Sequence, residues 1–99
     1  MNAWYVVRTH VNAEGKALSN LIRQGYEVYL PHTRRWRTHA RRREIVMRPL
    51  FPGYLFVAFD VEHTRWRSIF STIGVASLIC YAERPAAVPR DVIDSIKTA

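Results

Sequence analysis

The stretch Phe51-Pro52-Gly53-Tyr54-Leu55-Phe56-Val57-Ala58-Phe59 constrains the fold more than any other part of the chain. It reads as a β-strand entered through Pro49 and Pro52. Side chains alternate faces along a strand, so Leu55, Val57 and Phe59 share one face, and Tyr54 and Phe56 share the other. The first set suits packing against helices. The second puts two aromatic rings on the opposite face, which the chain must either cover or use.

The remaining segments supply what such a strand needs. Residues 4–9 are β-rich and predict a first strand. Asn12 is the expected cap of a helix whose first turn holds Glu14. Its apolar stripe is Ala17, Leu18, Leu21 and Ile22, and Gly25 stops it. Residues 27–30 form a second strand that Pro31 marks as an edge or a bend. Trp36 and Ile45-Val46-Met47 flank a polar tip over residues 37–43, which predicts a long hairpin with a mobile charged tip. Thr64 is the expected cap of a second helix carrying Trp66, Ile69 and Phe70 inward. Gly74 ends the turn after it, and residues 75–81 form a fourth strand. Pro89 opens a last helix with Val92, Ile93 and Ile96 on its inner face. The order β-α-β-β-α-β-α predicts an α+β fold. It is a four-stranded, mainly antiparallel sheet flanked by three helices in split βαβ order, plus the basic hairpin. Ninety-nine residues suffice for one domain, residues 1–99.

Charge is concentrated rather than spread. Arg34, Arg35, Arg37, Arg41, Arg42, Arg43 and Arg48 stand against one acid, Glu44, so that segment nets +6 of the chain's +7. Six net charges in fifteen residues exceed what solubility requires and point to a phosphate or an acidic partner. Arg34, Arg35, Arg37, Arg41, Arg42 and Arg43 are therefore expected to contact nucleic-acid phosphate without reading sequence, with Arg8, Lys16 and Arg23 extending the track.

Catalysis finds no footing. His10, His32, His39 and His63 lack metal-ligand spacing, and no phosphate-cradling glycine loop or nucleophile motif occurs. Asp91 and Asp94 read as a solvated first helical turn. No enzyme, metal, cofactor or small-molecule substrate is expected. The single cysteine, Cys80, sits in an apolar run and reads as a buried thiol. With no signal peptide and no apolar run long enough for a bilayer, a cytoplasmic monomer off the membrane is expected.

RNA-recognition modules carry paired aromatics on a third strand that stack on bases. Residues 52–59 follow that strand's pattern except at Pro52 and Leu55, so a single-stranded RNA-binding module remains open on the motif alone.

The wider chain resembles another family. Trp4-Tyr5-Val6-Val7, the helix after it, Leu50-Phe51-Pro52-Gly53-Tyr54-Leu55-Phe56-Val57, the Trp66 helix, Gly74-Val75 and the Pro85…Val88-Pro89 ending occur in the order seen in the N-terminal domain of NusG-type elongation factors, including RfaH-like antiterminators. The resemblance implies a domain that bridges the RNA polymerase cleft and packs on the clamp helices of the largest subunit. The matching positions are Phe51, Pro52, Tyr54, Phe56, Tyr81, Ile93 and Ile96. Ile93 and Ile96 fit ordinary core packing equally well. Arg65, Trp66, Arg67 and Ser68 occupy the stretch that touches the opposite pincer, although Trp66 also fits the core. The hairpin would lie near upstream or non-template DNA. The resemblance further implies a second, β-barrel domain, so residues 1–99 are expected to be an excised part.

Overall fold

Strand Tyr54–Phe59 lies inside a sheet that is covered on both faces. The computed structural model describes residues Met1–Ala99. In chain order the elements are β1 (Ala3–Thr9), α1 (Glu14–Arg23), β2 (Glu27–Tyr29), β3 (His32–His39), β4 (Arg42–Pro49) and β5 (Tyr54–Phe59). A 3-10 helix (Trp66–Ser71), β6 (Val75–Leu78), β7 (Cys80–Tyr81), β8 (Arg84–Pro85) and α2 (Arg90–Thr98) follow. The main sheet runs β2-β5-β1-β6 with antiparallel neighbours, while β3-β4 and β7-β8 form separate ribbons. An antiparallel sheet with three helices is thus the architecture.

Register assigns the faces. Val7 lies opposite Leu55 and Tyr5 opposite Val57, so all four point to one side, with the Tyr5 ring stacked on Phe59 at 4.3 Å. There they meet Ala17 and Leu21 of α1, Trp66 and Ile69 of the 3-10 helix, and Leu78. Each such aliphatic side chain contributes about 1.5–3 kcal/mol by leaving water. On the other side Trp4, Phe56 and Ala58 are buried with Ile93 of α2. The approach to α2 is tied down where the Val88 N–H donates to the Trp4 carbonyl at 2.7 Å. The Lys97 ammonium closes the same side, 5.0 Å from the Trp4 ring centre and 5.1 Å from that of Tyr29.

Several local expectations are corrected. Asn12 does not cap α1; it takes φ 56°, a conformation asparagine tolerates, inside the preceding turn, and the cap position falls to Ala13. Ile22 is exposed because the buried stripe narrows to Ala17 and Leu21. Thr64 makes no cap, and the second helix is a 3-10 helix with Phe70 half in solvent. Ser71 and Thr72 hydroxyls both donate to the Ser68 carbonyl, competing with a regular helical ladder. The fourth strand breaks after Leu78, so Cys80 sits exposed on β7 outside the core instead of buried. Val92 is also exposed on α2.

Beyond β5, the Met1 ammonium donates to the Asp60 carboxylate at 2.7 Å. That bond first, and His63 second, hold the Asp60 carboxyl well below the usual carboxylate range. Any stability gained there is present above the ordinary carboxylate range and is lost progressively as pH falls from that range through the lowered value.

Gly74 is where the 3-10 helix, β6 and α1 meet. It has φ 94°, and an added Cβ would lie 2.6 Å from the Ala17 backbone nitrogen. Gly74→Ala is therefore expected to cost about 2–4 kcal/mol from left-handed strain plus backbone overlap. Urea unfolding of the variant beside Gly15→Ala, where a Cβ meets nothing within 4 Å, checks this.

Candidate functional site: an aromatic turn and a two-faced basic hairpin

The aromatic site begins with a turn. Pro52 pre-sets its own φ, Gly53 takes φ 86°, and the Tyr54 N–H donates to the Phe51 carbonyl at 3.0 Å. Proline followed by a positive-φ glycine is the type II pattern, and it explains the order Phe-Pro-Gly-Tyr. β5 accordingly starts at Tyr54 rather than Phe51. Two further bonds fix the turn: the Gly53 carbonyl accepts from the Thr9 N–H at 2.8 Å, and the Gly53 N–H donates to the Glu14 carboxylate at 2.9 Å. Glu14 thus holds the turn from the first turn of α1, a role its helix position in the sequence did not reveal.

The rings then separate by depth. Phe51 and Tyr54 are each 40% exposed, whereas Phe56 is 7% exposed. Phe51 sits edge-on against Phe56 at 6.1 Å, and Tyr29 stacks against Phe56 from the other side, also at 6.1 Å. Phe56 is the floor of the site and not its surface, because α2 covers it on the face that the other two helices leave open; of covering or use, the fold chooses covering at this position. Ile93 is fully buried, so of its two readings the fold selects core packing. Ile96 is partly buried against this second cluster. Tyr81, at 81% exposed, stands on the small β7-β8 ribbon. Ile79, between β6 and β7, is an exposed apolar neighbour that strand parity missed; its N–H donates to the Val6 carbonyl at 2.9 Å. Pro52 is exposed. A sheet face roofed by α2 does not offer Phe56 for stacking on a base, which removes the main support for an RNA-recognition reading.

Arg65, Trp66, Arg67 and Ser68 divide in the same way. Trp66 is core, packed in the first cluster, and Arg67 lies over its ring at 4.3 Å. Arg65 and Arg67 are exposed, while the Ser68 hydroxyl meets the Tyr26 hydroxyl at 3.1 Å.

The arginines lie on a continuous ladder rather than a loose tip. β3 and β4 pair from His32–Pro49 to His39–Arg42, closed by Ala40 and Arg41 at φ 51° and 64°. Two consecutive left-handed residues make the tight hairpin turn of I′ type. Arg34, Arg35, Arg41, Arg42, Arg43 and Arg48 are exposed and have no carboxylate partner; Arg37 alone pairs, with Glu44. Arg8, Lys16 and Arg23 do not form one strip. Arg8 emerges beside Tyr54 on the face under α2, its Nε 3.3 Å from the Ser77 hydroxyl that accepts from it, whereas Lys16 and Arg23 lie on α1, packed on the opposite face.

A family model described as "Transcription termination factor nusG" matches residues 2–97. The chain belongs to the NusG family. Among curated relatives, the transcription termination/antitermination protein NusG of Thermus thermophilus is 27% identical over 108 residues, covering 94% of this chain and 59% of the relative. The protein of the same description from Deinococcus radiodurans is 25% identical over 115 residues, covering 97% and 60%. The chain therefore spans about 60% of the length of these relatives. A solved structure described as "Domain interaction in Thermotoga maritima NusG" shares the fold, with a TM-score of 0.67 at 22% identity over 97% of this chain and 55% of that one. The family is one of non-enzymatic transcription factors. No helix is long and apolar enough to cross a membrane.

The Glu14 bond yields a direct expectation. Glu14→Ala removes a charge-assisted acceptor from a partly buried N–H, costing about 1–2 kcal/mol. Amide hydrogen exchange should show the Gly53 N–H opening faster in this variant, with the β1-β5 amides remote from the turn unchanged.

Proposed function

We propose that residues 1–99 are the polymerase-docking N-terminal part of a transcription elongation or antitermination factor. The split βαβ sheet serves as a rigid mount. The observation that carries this reading is the pinned turn holding Phe51, Pro52 and Tyr54 half-exposed on a buried Phe56 floor, in a chain of the NusG family. Two large rings at fixed positions bury much area with little loss of freedom on binding, which suits a helical partner. The partner is RNA polymerase, through the clamp helices of its largest subunit. Phe51, Pro52 and Tyr54 form the contact, Tyr81 and Ile96 its margin, with Phe56 and Ile93 supporting it from below. Arg65 and Arg67 face the opposite side of the cleft. Contacts available only when the clamp is closed shift the polymerase toward that state, which reduces pausing and raises processivity. The hairpin arginines hold upstream or non-template DNA by phosphate.

Docking is tested by capture on purified RNA polymerase. Phe51→Ala with Tyr54→Ala should weaken capture by more than about thirtyfold, the effect of removing an anchor worth about 2 kcal/mol. Both side chains are half-exposed, so the pair leaves the core intact, unlike any change at Phe56. Equal retention of wild type and variant rejects the docking surface.

The phosphate contact is tested by salt. DNA affinity of the wild type should fall steeply as salt rises, and Arg35→Ala with Arg42→Ala should reduce the log–log slope by roughly 1–2, one ion release per lost contact. Affinity insensitive to salt rejects it.

A further inference from the structure

The hairpin has two chemically different faces. Residues directly opposite on an antiparallel ribbon share a face, and neighbours along each strand alternate. Arg35, Arg37, His39, Arg42, Glu44, Val46 and Arg48 therefore lie on one side. Arg34, Trp36, Arg43, Ile45 and Met47 lie on the other, with no acid among them. Trp36 pairs with Ile45, and Arg34 with Met47. All three apolar members stand in solvent: Trp36 is 63% exposed, and Ile45 and Met47 more than half. Neither core cluster includes them. The other two tryptophans, Trp4 and Trp66, are buried. The Arg43 guanidinium rests over the Trp36 ring at 4.5 Å.

We propose that this second face is a stacking platform for unpaired bases of single-stranded DNA, with Trp36 as the ring that carries the base. The proposal rests on the hairpin's contact with nucleic acid and specifies what is bound. An exposed indole between arginines without carboxylate partners matches the two needs of a single strand, a π-face for a base and cations for the phosphates on either side. A duplex meets only the second need, because its ring faces are covered by stacked neighbours. Arg43 now occupies the position a base would take. On binding, the base replaces the guanidinium on the indole and Arg43 turns to a phosphate, exchanging an exposed cation–π contact for a stack and a charge contact. Arg34 across from Met47 and Arg41 in the turn lie along the same path. The charge pattern favours a polyanion over an apolar protein segment, since every charge on this face is positive.

The test compares short oligothymidylate, an abasic strand of equal length, a duplex with the same number of phosphates, and the matching RNA strand. Tryptophan fluorescence is the first readout, because Trp36 is the only exposed indole. Oligothymidylate should quench it, and the abasic strand should not. Trp36→Ala should lose about tenfold in affinity for oligothymidylate, the effect of one lost base stack. Its affinity for the abasic strand and the duplex should stay within about twofold, with an unchanged salt slope. Trp36→Phe keeps a ring on the ladder and should retain most of the affinity, which separates stacking from any loosening of the hairpin. Equal losses for all ligands, or none for oligothymidylate, overturn the platform while the phosphate contact stands. Salt-insensitive binding of wild type to every strand overturns the phosphate contact as well. Tighter, Trp36-dependent binding of the RNA strand overturns the assignment to DNA. Loss of polymerase capture in Trp36→Ala, with DNA binding unchanged, assigns the face to protein instead.

Discussion

Burial of β5 on both sides is the constraint on which the rest of the structure depends. Leu55, Val57 and Phe59 close the core beneath α1 and the 3-10 helix, and Phe56 and Ala58 close the one beneath α2. A strand sealed this way cannot change register without exchanging the contents of both cores. The turn at its entrance inherits that rigidity. Phe51 and Tyr54 are thus held at fixed positions at the surface, with their ordering cost already met during folding.

The turn shows how a few bonds convert a fold into a site. Pro52 and Gly53 select the backbone shape, Thr9 fixes it to the central strand, and Glu14 fixes it to α1. The same two elements approach β6 at Gly74, whose missing side chain lets the connection rest on the α1 backbone. Glycine is needed at both places for different reasons: positive φ at Gly53, and positive φ together with close approach at Gly74.

The hairpin obeys other rules. It contributes to neither core, so its residues are free to serve recognition. An isolated two-stranded ribbon has little cohesion of its own, and its turn places Ala40 and Arg41 in a region better suited to asparagine and glycine. At its base the ladder gains one more rung, the Leu50 N–H donating to the Pro31 carbonyl at 2.8 Å, before the two strands lead back toward β2 and β5. Positive charge is dispersed along both of its faces, while the apolar residues Trp36, Ile45 and Met47 gather on one.

By itself the sequence determined the α+β class, the antiparallel sheet, the helical stripes at Ala17 and Leu21, and the concentration of arginines between Arg34 and Arg48. These follow from local rules: strand parity, helical period, and charge that has no interior to go to. Tertiary structure decided the rest. Parity assigned Phe56 to the same face as Tyr54, but only the return of α2 made one the floor and left the other at the surface. Glu14 looked like a partner of its own helix until the fold brought Gly53 to it across 39 positions. Cys80, apolar in context, reached solvent because β6 ended two residues earlier. Arg8 and Lys16, close in sequence, parted to opposite sides of the sheet. For Phe56 and Glu14 the deciding contact joins residues far apart in the chain, and a local pattern carries no record of which of two equivalent faces another element will cover.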